Sequence, residues 1–142
     1  MKLTVASLLL LSLLACDRYQ IKFNEQQIYT PRQLFSDYNI PDTALRNCIK
    51  QMIIDQSVMR AEDLVTINCA YAGISNLSGI NRFTRLETIN LANNNLNDIK
   101  PLMFLGELRR VDVSGNDLLQ CKDIKTLSEL VPGQLLAPKA CF

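Results

Sequence analysis

Leu64, Leu86, Leu108 and Leu130 stand 22 residues apart at every step. A fixed internal period of that length restricts a chain to architectures in which one short unit is stacked on the next. Aligned on those leucines, the units read "LVTINCAYAGISNLSGINRFTR", "LETINLANNNLNDIKPLMFLGE" and "LRRVDVSGNDLLQCKDIKTLSE". Apolar residues fill the same columns: Ile67, Ile89 and Val111; Cys69, Leu91 and Val113; Ile74, Leu96 and Leu118. Leu77, Ile99 and Cys121 follow, then Ile80, Leu102 and Ile124, then Phe83, Leu105 and Leu127. A unit of this size cannot bury its apolar side alone, so neighbouring units must share one continuous core. A partial fourth unit, "LVPGQLLAPKACF", keeps Leu130 and Leu135 but carries Gly133 and Pro138, and reads as a terminator.

The units follow L-x-x-L-x-L-x-x-N-x-L, and over about residues 64–131 the chain resembles a bacterial leucine-rich repeat protein of the internalin-like, 22-residue type. That resemblance implies an α/β solenoid, a short horseshoe with one parallel β-strand per repeat. It implies an N-terminal helical cap over residues 30–63, three repeats over 64–129 and a C-terminal partial repeat or cap over 130–142. It also implies that Asn94 and Asn116 are buried and bond the backbone of the turning chain. Two positions depart from the pattern: Ala72 stands where the first unit should have asparagine, and Cys69 occupies a leucine column.

The first sixteen residues, "MKLTVASLLLLSLLAC", read as an address. Lys2 is a short positive leader, and Leu3 to Leu14 form an apolar run too short for the ~20 residues a helix needs to cross a bilayer. The ending Leu13-Leu14-Ala15-Cys16 resembles a bacterial lipobox, with Leu14 departing from the small residues common at its place. The resemblance implies a signal peptide over 1–15, cleaved before Cys16, and acylation of that cysteine. Two or three acyl chains give stable anchoring where one does not. Asp17 resembles an inner-membrane retention signal in enterobacteria, a rule that varies between lineages, so inner and outer membrane both stay open. Residues 16–29 read as a tether or, from the alternation Tyr19-Ile21-Phe23, a strand.

A stacked chain exposes apolar ends and an unpaired sheet edge, and both need covering. In "PDTALRNCIKQMII", Leu45, Cys48, Ile49, Met52 and Ile53 fall on one helical face, with Pro41 suited to the opening turn. "TPRQLFSDY" predicts a shorter helix, with Thr30 as N-cap, Pro31 first, and Leu34, Phe35 and Tyr38 facing inward. With Cys16 assigned to lipid, four cysteines remain, and four permit three pairings. Neighbourhood pairs Cys48 with Cys69 and Cys121 with Cys141; reduced, buried thiols are the alternative.

Composition removes several kinds of chemistry. There is no histidine, which excludes Ser-His-Asp and Cys-His nucleophiles and histidine metal sites. Formal charge is +1 and tryptophan is absent, so neither nucleic acid nor base stacking is favoured. Without a nucleophile–base pair, a C-x-x-C or a calcium-loop spacing, the chain is read as non-enzymatic, with no cofactor and no metal. In the strands, exposed residues alternate with core columns, which places Thr88, Asn90, Arg110 and Asp112 on one concave sheet face as candidate protein-binding residues. The expected function is a membrane-anchored, protein-binding lipoprotein of the bacterial envelope, facing the periplasm or the exterior. Its partner would be an envelope or periplasmic protein. The other reading is an accessory structural or assembly lipoprotein, or a toxin-neutralising protein, that does not use that face.

Overall fold

The computed structural model describes residues 21–23, 26–29 and 33–141. The signal peptide, Cys16, Thr30 and Pro31 lie outside those residues. Two compact units divide the chain, Met1–Gln33 and Leu34–Phe142. In the first, β1 (Ile21–Phe23) pairs antiparallel with β2 (Gln26–Tyr29).

The second unit holds α1 (Thr43–Asp55), then β3 (Thr66–Asn68), β4 (Thr88–Asn90) and β5 (Arg110–Asp112), then α2 (Cys121–Leu130) and β6 (Gln134–Leu136). The four strands form one parallel sheet in the order β3-β4-β5-β6. Thr66 pairs with Thr88 and Thr88 with Arg110, so the 22-residue period sets strand register. Each strand is three residues long, with its central side chain turned into the core: Ile67, Ile89 and Val111 are buried. The return stretches Ile80–Arg82 and Lys100–Phe104 are 3-10 turns, and they bury Ile80 and Leu102 beneath the sheet. Leu64, Leu86, Leu91, Leu96, Ile99 and Phe83 complete this single core, each essentially without solvent contact.

Two asparagines serve the backbone within that core. Asn94 Oδ1 accepts from the amides of Ala72 (3.1 Å) and Ile74 (3.0 Å), while its amide group donates to Cys69 O and Leu91 O, both at 2.8 Å. Asn116 accepts from Leu96 N (3.1 Å) and donates to Leu91 O and Val113 O, both at 2.9 Å. A chain that turns inside a core has amides with no ladder partner, and these side chains supply one.

The expected leucine-rich repeat horseshoe requires correction. The described chain is a small α/β unit with one four-stranded parallel sheet and two α-helices. At ~4.8 Å between strands the sheet is about 15 Å wide, too narrow to trace a horseshoe arc. The period also fails in the final unit. Leu118, predicted as core, is 68% exposed, because the turn closed by Leu119 N on Asn116 O (3.1 Å) swings Leu119 inward instead. Leu130, predicted as the fourth anchor, ends α2 and is 55% exposed, while Val131 is buried in its stead. The last step runs from Arg110 to its partner Gln134, which is 24 residues, because a ten-residue α-helix replaces the 3-10 return of the earlier units. Gly133 permits that arrival: a Cβ there would collide with Arg109 O, which Gln134 N bonds at 2.8 Å.

The helix predicted in "TPRQLFSDY" is corrected too, since residues 33–42 are irregular. Phe35 N donates to Val58 O (2.9 Å) rather than into a helical ladder, and helices this short are marginal without help. The aromatic rings still turn inward as expected. Phe35 meets Phe83 edge-on at 6.0 Å, and Tyr38 meets it at 5.7 Å. For α1 the cap is Asp42, whose Oδ1 accepts from Leu45 N (2.9 Å), so Pro41 precedes the cap instead of opening the helix. The helix buries Leu45, Ile49 and Ile53 and packs beside β3, where Gln56 Nε2 donates to Thr66 O (3.0 Å). Disulfides join Cys48 to Cys69 and Cys121 to Cys141, tying α1 to the first unit of the sheet and α2 to the C-terminal segment.

Candidate functional site

The out-facing residues of the sheet stand in two rows. One is Thr66, Thr88, Arg110 and Gln134; the other is Asn68, Asn90, Asp112 and Leu136. The four candidate residues, Thr88, Asn90, Arg110 and Asp112, therefore come together on the central strands. With Gln134 and Leu136 they line a shallow depression of about 90 Å³. Sequence reasoning misses Gln134 and Leu136, because it reads the terminal unit as a cap; the alternation within "QLL" is the available signal.

Local bonding divides these side chains by what remains free. Arg110 Nε donates to Thr88 Oγ1 (3.3 Å), which lays the guanidinium along the face. Asn90 Oδ1 accepts from Ala92 N (3.0 Å), and Asp112 Oδ1 accepts from Ser114 N (3.0 Å) and from the Ser114 hydroxyl (2.6 Å). These are Asx-type turns that end the strands. Asn90 and Asp112 are thus half architectural: each keeps one polar atom for a partner. Arg110 and Asp112 form no ion pair with each other among the described residues.

The dimensions limit what the face can do. Small-molecule sites usually enclose several hundred Å³, well above the depression here. The sheet face spans roughly 15 by 10 Å, on the order of 150 Å², whereas a standard interface buries ~800 Å² per partner. The face suits a contact within a larger footprint.

Larger hollows lie elsewhere. Ser75, Asn76, Ser78, Asn97 and Asp98 line a polar one of about 380 Å³. Asp42 reaches into the same loop, its Oδ2 accepting from Ser75 N, the Ser75 hydroxyl and Asn76 N, each at 3.0 Å. Partial burial alone would raise this carboxyl, but those bonds and the one from Leu45 N outweigh it and hold Asp42 below the ordinary carboxylate range. One carboxylate thus caps α1 and stabilises the first unit's loop, where Ala72 replaces the asparagine of the later units. No group of three or more His, Cys, Asp or Glu that could hold a metal ion occurs among the described residues, and none of their helices is long and apolar enough to cross a membrane.

No family model and no curated protein matches this chain. A similar solved structure is that of the CBM51-2 and INT domains from Clostridium perfringens ZmpB, at 25% identity and a TM-score of 0.48. The match covers 60% of this chain and 19% of that one.

Proposed function

We propose that the chain is a bacterial envelope lipoprotein, anchored through acyl chains on Cys16, whose folded unit is a non-enzymatic protein-binding module. The observation that carries the reading is the convergence of Thr88, Asn90, Arg110 and Asp112, with Gln134 and Leu136, on one shallow sheet face. Most of these contribute a short or braced group instead of a long mobile one, so little side-chain entropy is lost on contact. The two disulfides fit an oxidising compartment such as the periplasm or the cell exterior. The partner on this reading is an envelope or periplasmic protein.

The test compares what the wild-type chain captures from its native envelope with what a variant captures. The variant carries Thr88→Ala, Asn90→Ala, Arg110→Glu and Asp112→Asn. Loss of a captured protein, with thermal stability kept within about 1 kcal/mol, supports the face. Identical capture moves the reading to an accessory structural or assembly lipoprotein. The occupied Oδ1 atoms of Asn90 and Asp112 favour that second reading. For the anchor, Cys16→Ser should abolish acyl labelling, and persistent labelling refutes the assignment.

A further inference from the structure

Five bases lie along the return side of the fold, opposite the sheet. The strands carry one base and one acid, Arg110 and Asp112. The return side is different. Its successive elements are Ile80–Arg82, Lys100–Phe104, α2 and the 3-10 turn Lys139–Cys141, each packed on the next or on α2. They carry Arg82, Lys100, Lys122, Lys125 and Lys139 against two carboxylates, Asp123, which is buried, and Glu129, in the last turn of α2. Arg82 is paired with Asp37 (3.4 Å) and Lys100 lies 4.0 Å from Asp98 in the preceding loop. Lys122 and Lys125 have no ion-pair partner among the described residues.

Amid these bases stands Phe104, 77% exposed at the end of Lys100–Phe104. The next side chain inward, Met103, is only partly buried. In the 22-residue register Phe104 lies between Arg82 and Thr126, and Met103 beside Lys125. Ile124 and Leu127 are buried as that register requires, so it holds in the middle of α2, while Cys121 and Leu130 at its ends are exposed. Lys122 and Lys125 also border a mainly apolar hollow of about 420 Å³ shared with Ile124 and the Cys121–Cys141 bridge. A free aromatic ring, flexible lysines and an apolar hollow together match the boundary between anionic headgroups and acyl chains, where rings and alkyl stems sink and ammonium groups stay at the phosphates.

We infer that this return face, centred on Phe104, Lys122 and Lys125, rests on an anionic phospholipid surface and leaves the sheet face turned away from it. The inference builds on the membrane-anchored reading and adds which side of the folded unit meets lipid. Charge complementarity selects lipid over an apolar protein groove, because Arg82 stands in the row beside the exposed ring and Lys125 in the row beside Met103.

The chain has no tryptophan, so Phe104→Trp gives a single fluorescent reporter at an exposed position. The full chain carrying Phe104→Trp is reconstituted with vesicles of phosphatidylcholine alone, or with about a third phosphatidylglycerol, each containing brominated acyl chains. Flotation reads anchoring, and quenching of the introduced indole reads contact of the face. The expected result is flotation with both vesicle types but strong quenching only with the anionic ones. Lys122→Glu with Lys125→Glu should abolish the quenching and leave flotation intact. Each lysine near an anionic leaflet accounts for about a 5-fold change in partitioning. Flotation without quenching on anionic vesicles overturns the inference while the anchor stands. Quenching on anionic vesicles, without flotation on neutral ones, supports the face and overturns the anchor. Equal quenching on both lipids overturns the electrostatic selection, and neither signal on either lipid overturns both.

Discussion

Replacing Asn94 with alanine isolates the contribution of one side chain to the stacking of successive units. The loss can be worked from the bonds it leaves open. Leu91 O keeps a partner in Asn116 Nδ2 (2.9 Å), and Ala92 O keeps Tyr71 N (3.0 Å). Ile74 N, Ala72 N and Cys69 O have no other partner among the described hydrogen bonds. Ala72 is half-buried and can recruit water, whereas Ile74 and Cys69 are buried. Two buried orphans at about 1–3 kcal/mol each, plus a small void, give an expected loss of roughly 3–5 kcal/mol. Urea denaturation under non-reducing conditions reads this as a lower midpoint at unchanged slope. A sharper version is Asn94→Asp. Its second oxygen would face Cys69 O and Leu91 O, so burial and the two carbonyls favour the protonated acid, which can donate. The folded pKa is then raised above the unfolded ~3.9, so the deficit relative to wild type is smallest below that value and grows as pH rises. A deficit below about 1 kcal/mol for Asn94→Ala, or one independent of pH for Asn94→Asp, would refute the assigned role.

Asp42 has the opposite sign. Its folded pKa is lowered, so its contribution is present above the unfolded value and lost as pH falls through the folded one; the stability gap between wild type and Asp42→Asn should therefore shrink in acid. Denaturation at pH 7 and near pH 3 measures it, and a constant gap contradicts the assignment. Tyr71 sits at φ +56° with its side chain 79% exposed; Tyr71→Gly should raise stability by about 1 kcal/mol, checked by thermal unfolding, since the left-handed conformation costs a bulky residue that much. Removing either disulfide as a paired Cys→Ser variant should cost about 3 kcal/mol for loops of this length. A midpoint unmoved by Cys121→Ser with Cys141→Ser would show that the C-terminal segment holds without its bridge.

The parts of the structure legible in the sequence are those where burial and register agree. Ile67, Ile89 and Val111 line up because one central side chain per three-residue strand must enter the core, and a repeated length returns the chain to the same register. The cysteines pair by neighbourhood because each pair lies about one unit apart. The last unit escapes the pattern because periodicity cannot weigh a helix against a turn. "CKDIKTLSEL" places Ile124 and Leu127 three apart, which serves either, and the α-helix it forms takes up more chain before β6. Adjacent Leu118 and Leu119 offer the same apolar character, so only the turn decides which is buried. Residues 33–42 carry the right aromatic spacing for a helix, yet their rings reach Phe83 from irregular chain.

The candidate face is legible in the sequence only as a set of directions. Alternation tells which side chains leave the core, and the structure brings Thr88, Asn90, Arg110 and Asp112 to one place. What alternation cannot convey is that a short polar side chain at a strand end has its own backbone as a competitor for bonding. Asn90 and Asp112 each close on the residue two positions ahead, which fixes them and removes one acceptor from any partner. The same column logic exposes a second pattern hidden in the repeat. Tyr71, Asn93 and Gly115, spaced by 22, all adopt positive φ. Glycine and asparagine take that conformation at little cost, and tyrosine does not. A Cβ at Gly115 would also strike the Asn93 side chain, so a substitution there must displace Asn93 as well as bear the positive φ, whereas Tyr71 projects into solvent at the open end of the column. Sheet-end architecture therefore explains the glycine and the asparagine, while the strained, exposed tyrosine at the sheet's first strand is the one member of the column that packing does not explain.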